Sequence, residues 1–367
     1  MLDSDHIGDL LRVVIETTQV STRGPTVGMF ERALEKKLGV KHAICTSSGT
    51  AALQVALKAL GVGPGTDVIV PALSFIATAN AVSLLGADPV FVDSGNLLEG
   101  DFTLGISVSS IQEVLAAYEK TSRGPVNKNT GRTLAAVVPM HTLGRLCNMT
   151  PIRRLCNEWG IPVVEDAAEA IGSKDSQGLH PGSSGIATLS FNGNKTITTG
   201  GGGAVLTDSD RLAERIRHLS SVAKKIHPWK FEHDEIGWNY RMPAVNAALG
   251  VSQIDNLELI ISSKARLHAA YETQFSDSPF FSVVPNPLNQ TPNNWLVAVS
   301  LSEEHKKHLN GVLDAVITLG VECRPMWDLL PLLKPYINAD RSSVSNAAAI
   351  RETLICLPSS PILGNSL

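Results

Sequence analysis

Short apolar runs alternate with stretches of helical spacing along most of this chain. Residues 7–20 carry apolar groups at near-helical intervals, and the pattern breaks over residues 21–28, where Gly24, Pro25 and Gly28 predict a turn after an N-terminal helix. From there to about residue 245, apolar runs ending in turn or acidic residues recur at 67–71, 89–93, 134–140, 162–166, 187–191 and 204–207. Helix-like stretches separate them, one of them opening at Ser48 and running through Leu60. This alternation predicts an α/β fold with a wound, mostly parallel sheet covered on both faces.

Beyond Met242 and Pro243 the pattern changes. A long helical stretch runs over 244–262 and on to 275, followed by strand candidates at 281–284 and 295–301, a helical 303–319 and a short apolar run at 322–324. The expected organisation is an N-terminal helix and large domain over 1–245, and a smaller C-terminal α/β domain over 246–367. The Gly- and Asn-rich stretch 120–132 reads as an exposed excursion, either a flank of the functional site or a plain surface loop. No internal repeat or low-complexity tract is evident.

Composition narrows the function classes. A chain of 367 residues, 43% hydrophobic and 18% charged, is long enough for one large core and a smaller one. A formal charge of -4 with scattered Lys and Arg gives no basic face for nucleic acid. The acidic start Met1-Leu2-Asp3-Ser4-Asp5-His6 and the lack of any membrane-length apolar run lead to the expectation of a cytoplasmic protein. Five cysteines at irregular spacing form neither a disulfide framework nor a zinc pattern. The Asn-x-Thr triplets at Asn148, Asn194 and Asn289 carry no weight without a secretory signal.

Three places carry chemistry. Lys195 follows the apolar run Ala187-Thr188-Leu189-Ser190-Phe191 and precedes four glycines, Gly200 to Gly203, so its amine is set against a bound group, and Schiff-base formation is the natural chemistry. Asp166 ends the run Ile161-Pro162-Val163-Val164-Glu165-Asp166, which delivers a carboxylate to the sheet edge where open α/β sheets bind ligands. Ser47-Ser48-Gly49-Thr50 opens a helix with small residues, leaving backbone N–H groups and the positive end of the helix dipole for a phosphate. Alone, Ser48 is a plain N-cap and Asp166 an ordinary turn acid. Together, phosphate cup, strand-end acid and strand-end lysine describe a pyridoxal phosphate site. Two glycine clusters are set aside. Gly61-Val62-Gly63-Pro64-Gly65 follows a helix and precedes a strand, the reverse of a dinucleotide-binding loop, and Gly200 to Gly203 lacks a P-loop lysine.

With these residues in place, the chain resembles the DegT/StrS type of sugar aminotransferase, among the fold-type-I pyridoxal phosphate enzymes of aspartate aminotransferase-like architecture. The resemblance runs through Thr22-Arg23-Gly24-Pro25, Ser48-Gly49-Thr50-Ala51-Ala52-Leu53, Val70-Pro71-Ala72-Leu73-Ser74-Phe75, Glu165-Asp166-Ala167-Ala168, Ser190-Phe191-Asn192-Gly193-Asn194-Lys195, Gly237-Trp238-Asn239-Tyr240-Arg241-Met242 and Glu322-Cys323-Arg324-Pro325-Met326-Trp327. It implies that Lys195 bonds the cofactor and that Asp166 partners the pyridine nitrogen. Glu169 falls beside the ring hydroxyl, where the family usually has glutamine. Gly49, Thr50, Ser48 and Ser190 match phosphate positions, and Phe75 matches the aromatic stacked on the ring. Asn239 matches the asparagine reaching the phosphate from the neighbouring subunit of a homodimer. After Trp327 this chain reads Asp328-Leu329-Leu330-Pro331, without the histidine the family often carries there.

A narrower likeness, at Asn194-Lys195-Thr196-Ile197-Thr198-Thr199-Gly200, over 227–237 and at Leu357-Pro358-Ser359-Ser360, is to the legionaminic-acid branch, which aminates carbon 4 of nucleotide-linked 4-keto-6-deoxy sugars. The resemblance therefore implies transfer from L-glutamate to such a sugar, as part of bacterial surface-polysaccharide or diamino-sugar synthesis. The alternatives are amination at carbon 3 and a non-catalytic binding protein on the same scaffold. His141, Trp229, His233 and Arg324 are the candidate sugar or nucleotide contacts. Each also has an ordinary structural alternative.

Overall fold

The computed structural model describes residues 4–366 apart from Arg23 and Ser184, so Arg23 of the Thr22 to Pro25 motif and the first three residues of the acidic start lie outside it. The main sheet is assembled in the order His42–Thr46, Gly203–Thr207, Ile186–Ser190, Val164–Asp166. Parallel bridges Val137↔Val163 and Met140↔Asp166 continue it into Thr133–Val137, Thr66–Pro71 and Asp88–Val92. Neighbours are parallel except that Gly203–Thr207 runs against both Ile186–Ser190 and His42–Thr46. Ile186–Ser190 and Gly203–Thr207 are buried at every position, as expected of strands covered on both faces.

Two helices tie this sheet to its surroundings. Pro25 occupies the first turn of Pro25–Leu38, where its missing N–H costs nothing, and Gly24 before it takes φ 99°, closed to most side chains. The predicted turn therefore ends at Gly24, and Gly28 is helical. Phe30, Leu34 and Leu38 recur at four-residue spacing on the buried face, and the Phe30 ring packs 5.1 Å from that of Phe191. Gly49–Ala59 is buried from Ala51 to Leu57 because it crosses the sheet between other elements.

The C-terminal part builds an antiparallel sheet in the order Phe281–Val283, Ala298–Leu301, Leu354–Cys356, Arg324–Pro325. Its buried residues Trp295, Ala298, Met326, Leu330 and Leu354 join one apolar core with Leu53, Leu73 and Phe91 of the first part. The continuous helix expected over 244–275 is two, Ala244–Asp255 and Leu257–Phe275, meeting at Asn256, which leaves helical backbone with ψ near 3°.

The 120–132 excursion is corrected in kind and in place. It is a hairpin, Tyr118–Thr121 against Gly124–Asn127, anchored by the Tyr118 hydroxyl donating to Asp67 Oδ2 at 2.7 Å and by the Arg132–Asp67 ion pair. Asp67 is the second residue of Thr66–Pro71, so the hairpin sits at the amino ends of the parallel strands, away from the cavity described below. Gly61 and Gly65, at φ 91° and 80°, make the turn from Gly49–Ala59 into Thr66–Pro71 as expected. The five cysteines are free and buried.

Candidate active site

A cavity of about 330 Å³ opens where the carboxyl ends of the parallel strands meet the amino end of Gly49–Ala59. Ser48, Gly49, Thr50, Phe75, Asp166, Glu169, Ser190 and Lys195 all line it. This is where an open α/β sheet offers a ligand the most: strand-end side chains and unpaired helix N–H groups together.

Lys195 sits on the turn that follows Ile186–Ser190. Its N–H donates to Asn192 O at 3.0 Å, and Thr199 N–H returns the chain to Phe191 O at 3.0 Å. The turn is closed tightly enough that a Cβ on Gly202 would lie 2.5 Å from Met242 Cε, and one on Gly203 2.5 Å from Ser48 O. Gly203 lets backbone approach backbone beside the cavity, and Gly202 leaves room for the Met242 and Thr199 side chains. The Lys195 side chain is 13% exposed, and its Nζ lies 3.2 Å from Glu169 Oε1 and 4.0 Å from the centre of the Trp295 ring.

Asp166 closes its strand and is buried. Its Oδ2 accepts from the Thr78 hydroxyl at 2.8 Å and its Oδ1 from Ala168 N–H at 3.1 Å. Burial raises the carboxyl, and the two donors and the Lys195 ammonium pull it back. Glu169 is buried one turn further on. Burial lifts its carboxyl to about 7, against the Lys195 charge and the Leu143 N–H, which donates to Oε2 at 2.8 Å. Leu143 delivers that N–H from a left-handed conformation, φ 56°, rare for a leucine.

At the helix end, Ser48 is an N-cap in the ordinary sense, its Oγ accepting from Ala51 N–H at 3.1 Å. It is also a wall of the cavity, so its structural and ligand-facing readings coexist. Gly49 is pressed so close to the strand end that a Cβ there would lie 2.8 Å from Ser190 Cβ. Phe75, 54% exposed, is an aromatic held open at the mouth.

The other expected residues lie elsewhere. His141 is fully buried: Cys147 N–H donates to its Nδ1 at 3.1 Å, so the ring proton sits on Nε2 and is donated to Glu165 at 3.0 Å. With both nitrogens engaged and no exposure it has nothing to offer a sugar, and that expectation is corrected. Arg324 is exposed, its guanidinium donating to Cys323 O at 2.8 Å, and is outside the cavity lining. Trp229 and His233 stand on an exposed arm, 222–237, with His233 Nδ1 2.8 Å from Val222 O. Asn239, just beyond that arm, is also exposed and outside the cavity lining of its own chain.

Reading the sequence missed Thr78, Trp295 and the cavity position of Trp327. Thr78 lies three residues beyond the quoted Val70 to Phe75 stretch and Trp327 ends a quoted motif, so both stand beside sequence signals. Trp295, a hundred positions from Lys195, had no local signal.

Strand order, the largely covered Lys195 and the strand-end acid are those of a fold-type-I α/β enzyme. The model of the DegT/DnrJ/EryC1/StrS aminotransferase family matches residues 3–366, and the chain belongs to that family. It is a pyridoxal-phosphate-dependent sugar aminotransferase. Among curated relatives, the chain is 32% identical to a GDP-perosamine synthase of Caulobacter vibrioides, over 93% of this chain and 86% of that one. It is 34% identical to a GDP-perosamine synthase of Escherichia coli O157:H7, over 96% and 89%. Among solved structures, DesI in the presence of its TDP-sugar product superimposes with a TM-score of 0.86 at 27% identity, covering 100% of this chain and 88% of that one. The residues present fit the cofactor: a cationic amine within the cavity, a buried carboxylate at a strand end, and a helix terminus stripped of side-chain bulk at Gly49. Among the described residues no helix is long and apolar enough to cross a membrane.

Proposed function

We propose that this enzyme moves the amino group of L-glutamate to carbon 4 of a nucleotide-linked 4-keto-6-deoxy sugar destined for bacterial surface polysaccharide, acting as a homodimer with shared sites. The observation that carries the reading is the Lys195, Glu169 and Asp166 constellation in a chain 32–34% identical to three GDP-perosamine synthases. Those relatives favour a guanosine-diphosphate-linked substrate, and the likeness to the legionaminic-acid branch points to carbon 4.

Gly49 and Thr50 N–H groups with the Ser190 hydroxyl would hold the cofactor phosphate, Phe75 would lie against its ring, and Lys195 would be the residue that bonds it. The bound group supplies an electron sink for chemistry at the donor's α-carbon. Lys195 Nζ takes the proton from that carbon and later returns one, a positioned transfer worth roughly 10²–10⁴-fold. Asp166 would keep a proton on the ring nitrogen by placing an anion beside it. Glu169, 3.2 Å from Nζ, holds the amine in place at the cavity.

A second copy of the chain accounts for the exposed arm. Trp229, Phe231 and Ile236 are 73%, 83% and 83% exposed, an apolar surface too large to leave in water on one short arm. A twofold partner would cover it, and in that assembly Asn239 would serve the partner's cavity.

The test is glutamate with a panel of GDP-, UDP- and TDP-linked 4-keto-6-deoxy and 3-keto sugars, the position of the new amine being read by NMR. A product aminated at carbon 4 is expected. Amination of a 3-keto sugar alone, or exchange between ordinary amino and keto acids with no response to nucleotide sugars, overturns it.

A further inference from the structure

Trp295 has each of its polar atoms tied down. Its N–H donates to Asn293 Oδ1 at 2.9 Å, its carbonyl accepts from Lys264 Nζ at 3.0 Å, and its indole Nε1–H donates to Asn194 O at 2.8 Å. Asn194 immediately precedes Lys195, so the indole is pinned to the loop that carries the lysine. The ring face then lies 4.0 Å from Lys195 Nζ, within the distance at which a cation is attracted to the π system, and tryptophan is the best such partner.

The third party to this arrangement is Asn293, buried completely. Its Nδ2 donates to Glu169 O and Ile171 O, both at 2.8 Å, and lies 3.2 Å from Thr196 Oγ1. One amide therefore fixes the backbone of Glu169, the residue after Lys195 and, through Oδ1, Trp295. Lys264 adds an anchor of its own: a buried ammonium donating to Trp295 O and to Ser359 O, with no carboxylate partner among its described contacts. Burying such a charge is costly unless its hydrogen bonds hold something in place.

We propose that the Trp295 ring face and the Glu169 carboxylate form a docking site for the Lys195 ammonium, occupied whenever that amine is not bonded to the cofactor, with Asn293 as the positioning residue that sets its geometry. The proposal rests on the reading of Lys195 as the residue that bonds the cofactor and is released in each turnover. A released lysine has a long flexible stem, and a solvated amine would lose the orientation that makes its proton transfers effective. Ring face and carboxyl oxygen together hold Nζ in one place beside the cavity, 4.0 Å from the ring centre and 3.2 Å from Glu169 Oε1. Only 13% of the side chain is exposed in this arrangement.

The structural test is a crystal structure of the protein loaded with pyridoxamine 5'-phosphate, in which Lys195 is free. Nζ is expected within about 6 Å of the Trp295 ring centre while hydrogen-bonded to Glu169. An Nζ turned away from both groups overturns the docking site. The kinetic test follows the donor half-reaction by rapid mixing with glutamate. Trp295→Leu is expected to lower the saturating rate constant about tenfold with little change in the half-saturating concentration, and Trp295→Phe, which keeps a π face, to recover it to within about threefold. A native rate in Trp295→Leu, or equal losses in the Phe and Leu variants, sinks the proposal. If the Leu variant does not fold, the position of Nζ in the crystal structure decides alone. Lys195→Ala separates the two claims: a variant that still transaminates overturns the proposed function, whereas an inactive one beside a native Trp295→Leu overturns only the docking site.

Discussion

The Thr78 hydroxyl donates to Asp166 Oδ2 at 2.8 Å, joining the helix after Thr66–Pro71 to the end of Val164–Asp166 across 88 positions of sequence. Thr78 Oγ1 also lies 2.8 Å from Ser74 Oγ, so the donor is itself held in place. Burial would otherwise favour the protonated acid, and this hydroxyl is the first of the contacts that oppose it. Thr78→Val is expected to let the Asp166 carboxyl rise further and to move the acid limb of the kcat profile to higher pH. Asp166→Asn should retain the fold and lose most activity. Steady-state rates from acid to neutral pH check both, and an unchanged profile in either variant removes the residue from the mechanism.

Glu169 links the site to stability. Burial lifts its carboxyl from 4.5 to about 7, so the folded protein holds a proton that the unfolded chain releases. Stability from this group is fully present below the unfolded value and is lost as pH rises through the folded one, by on the order of 3 kcal/mol. Glu169→Gln has no such proton to lose. Its urea midpoint is expected to fall less than that of the native protein between pH 4.5 and 7, and to exceed it above pH 7. Parallel profiles for the two proteins would contradict this.

His141 is predicted to matter for folding and not for substrate. Replacing it by Ala strands the Glu165 carboxylate, which also pairs with Arg153 at 2.7 Å, and leaves the Cys147 N–H without its acceptor. A loss of about 2 kcal/mol or more follows for unsatisfied buried groups of this kind. Urea unfolding should record it, while the KM for the sugar nucleotide stays native. A raised KM with native stability would return His141 to the substrate site.

The shared site has its own test. Lys195→Ala should be inactive yet still bind pyridoxal phosphate noncovalently, since Asp166 and the Gly49 helix terminus remain. Asn239→Ala should be poor at limiting cofactor. Reassembling equal amounts of the two variants should regenerate activity, ideally about one native site in four for randomly paired twofold partners. If both residues served the same chain's site, every site would keep a defect, and mixed dimers shown to form would recover nothing.

Much of the fold was legible because each strand in the large sheet is a short continuous apolar run. Burial on both faces demands that pattern, and the runs predicted at 162–166 and 187–191 are seen as Val164–Asp166 and Ile186–Ser190. His42–Thr46 and Leu354–Cys356 escaped notice for the same reason in reverse: each is short and runs directly into, or out of, residues that read as helix. The break at Asn256 also left no mark, since no proline or glycine stands there. The hairpin Tyr118–Thr121 with Gly124–Asn127 looked like loop because its turn residues are local, while Asp67, which anchors Tyr118, is 51 positions away.

The sequence by itself determined the chemistry available to this protein: an amine after one strand, a carboxylate at the end of another, and a helix terminus of small residues. Those are local features, set by where apolar runs stop and by side chains a few positions apart. Only the tertiary structure decided which of the remaining groups face that chemistry. It sealed His141 between Glu165 and Cys147, turned Leu143 so that its N–H reaches Glu169, and brought Trp295 from a hundred positions away to within 4.0 Å of Lys195 Nζ. The physical reason is that such contacts depend on how separate elements pack together, through hubs such as Asn293 that bind three loops at once. No periodicity along the chain encodes that packing.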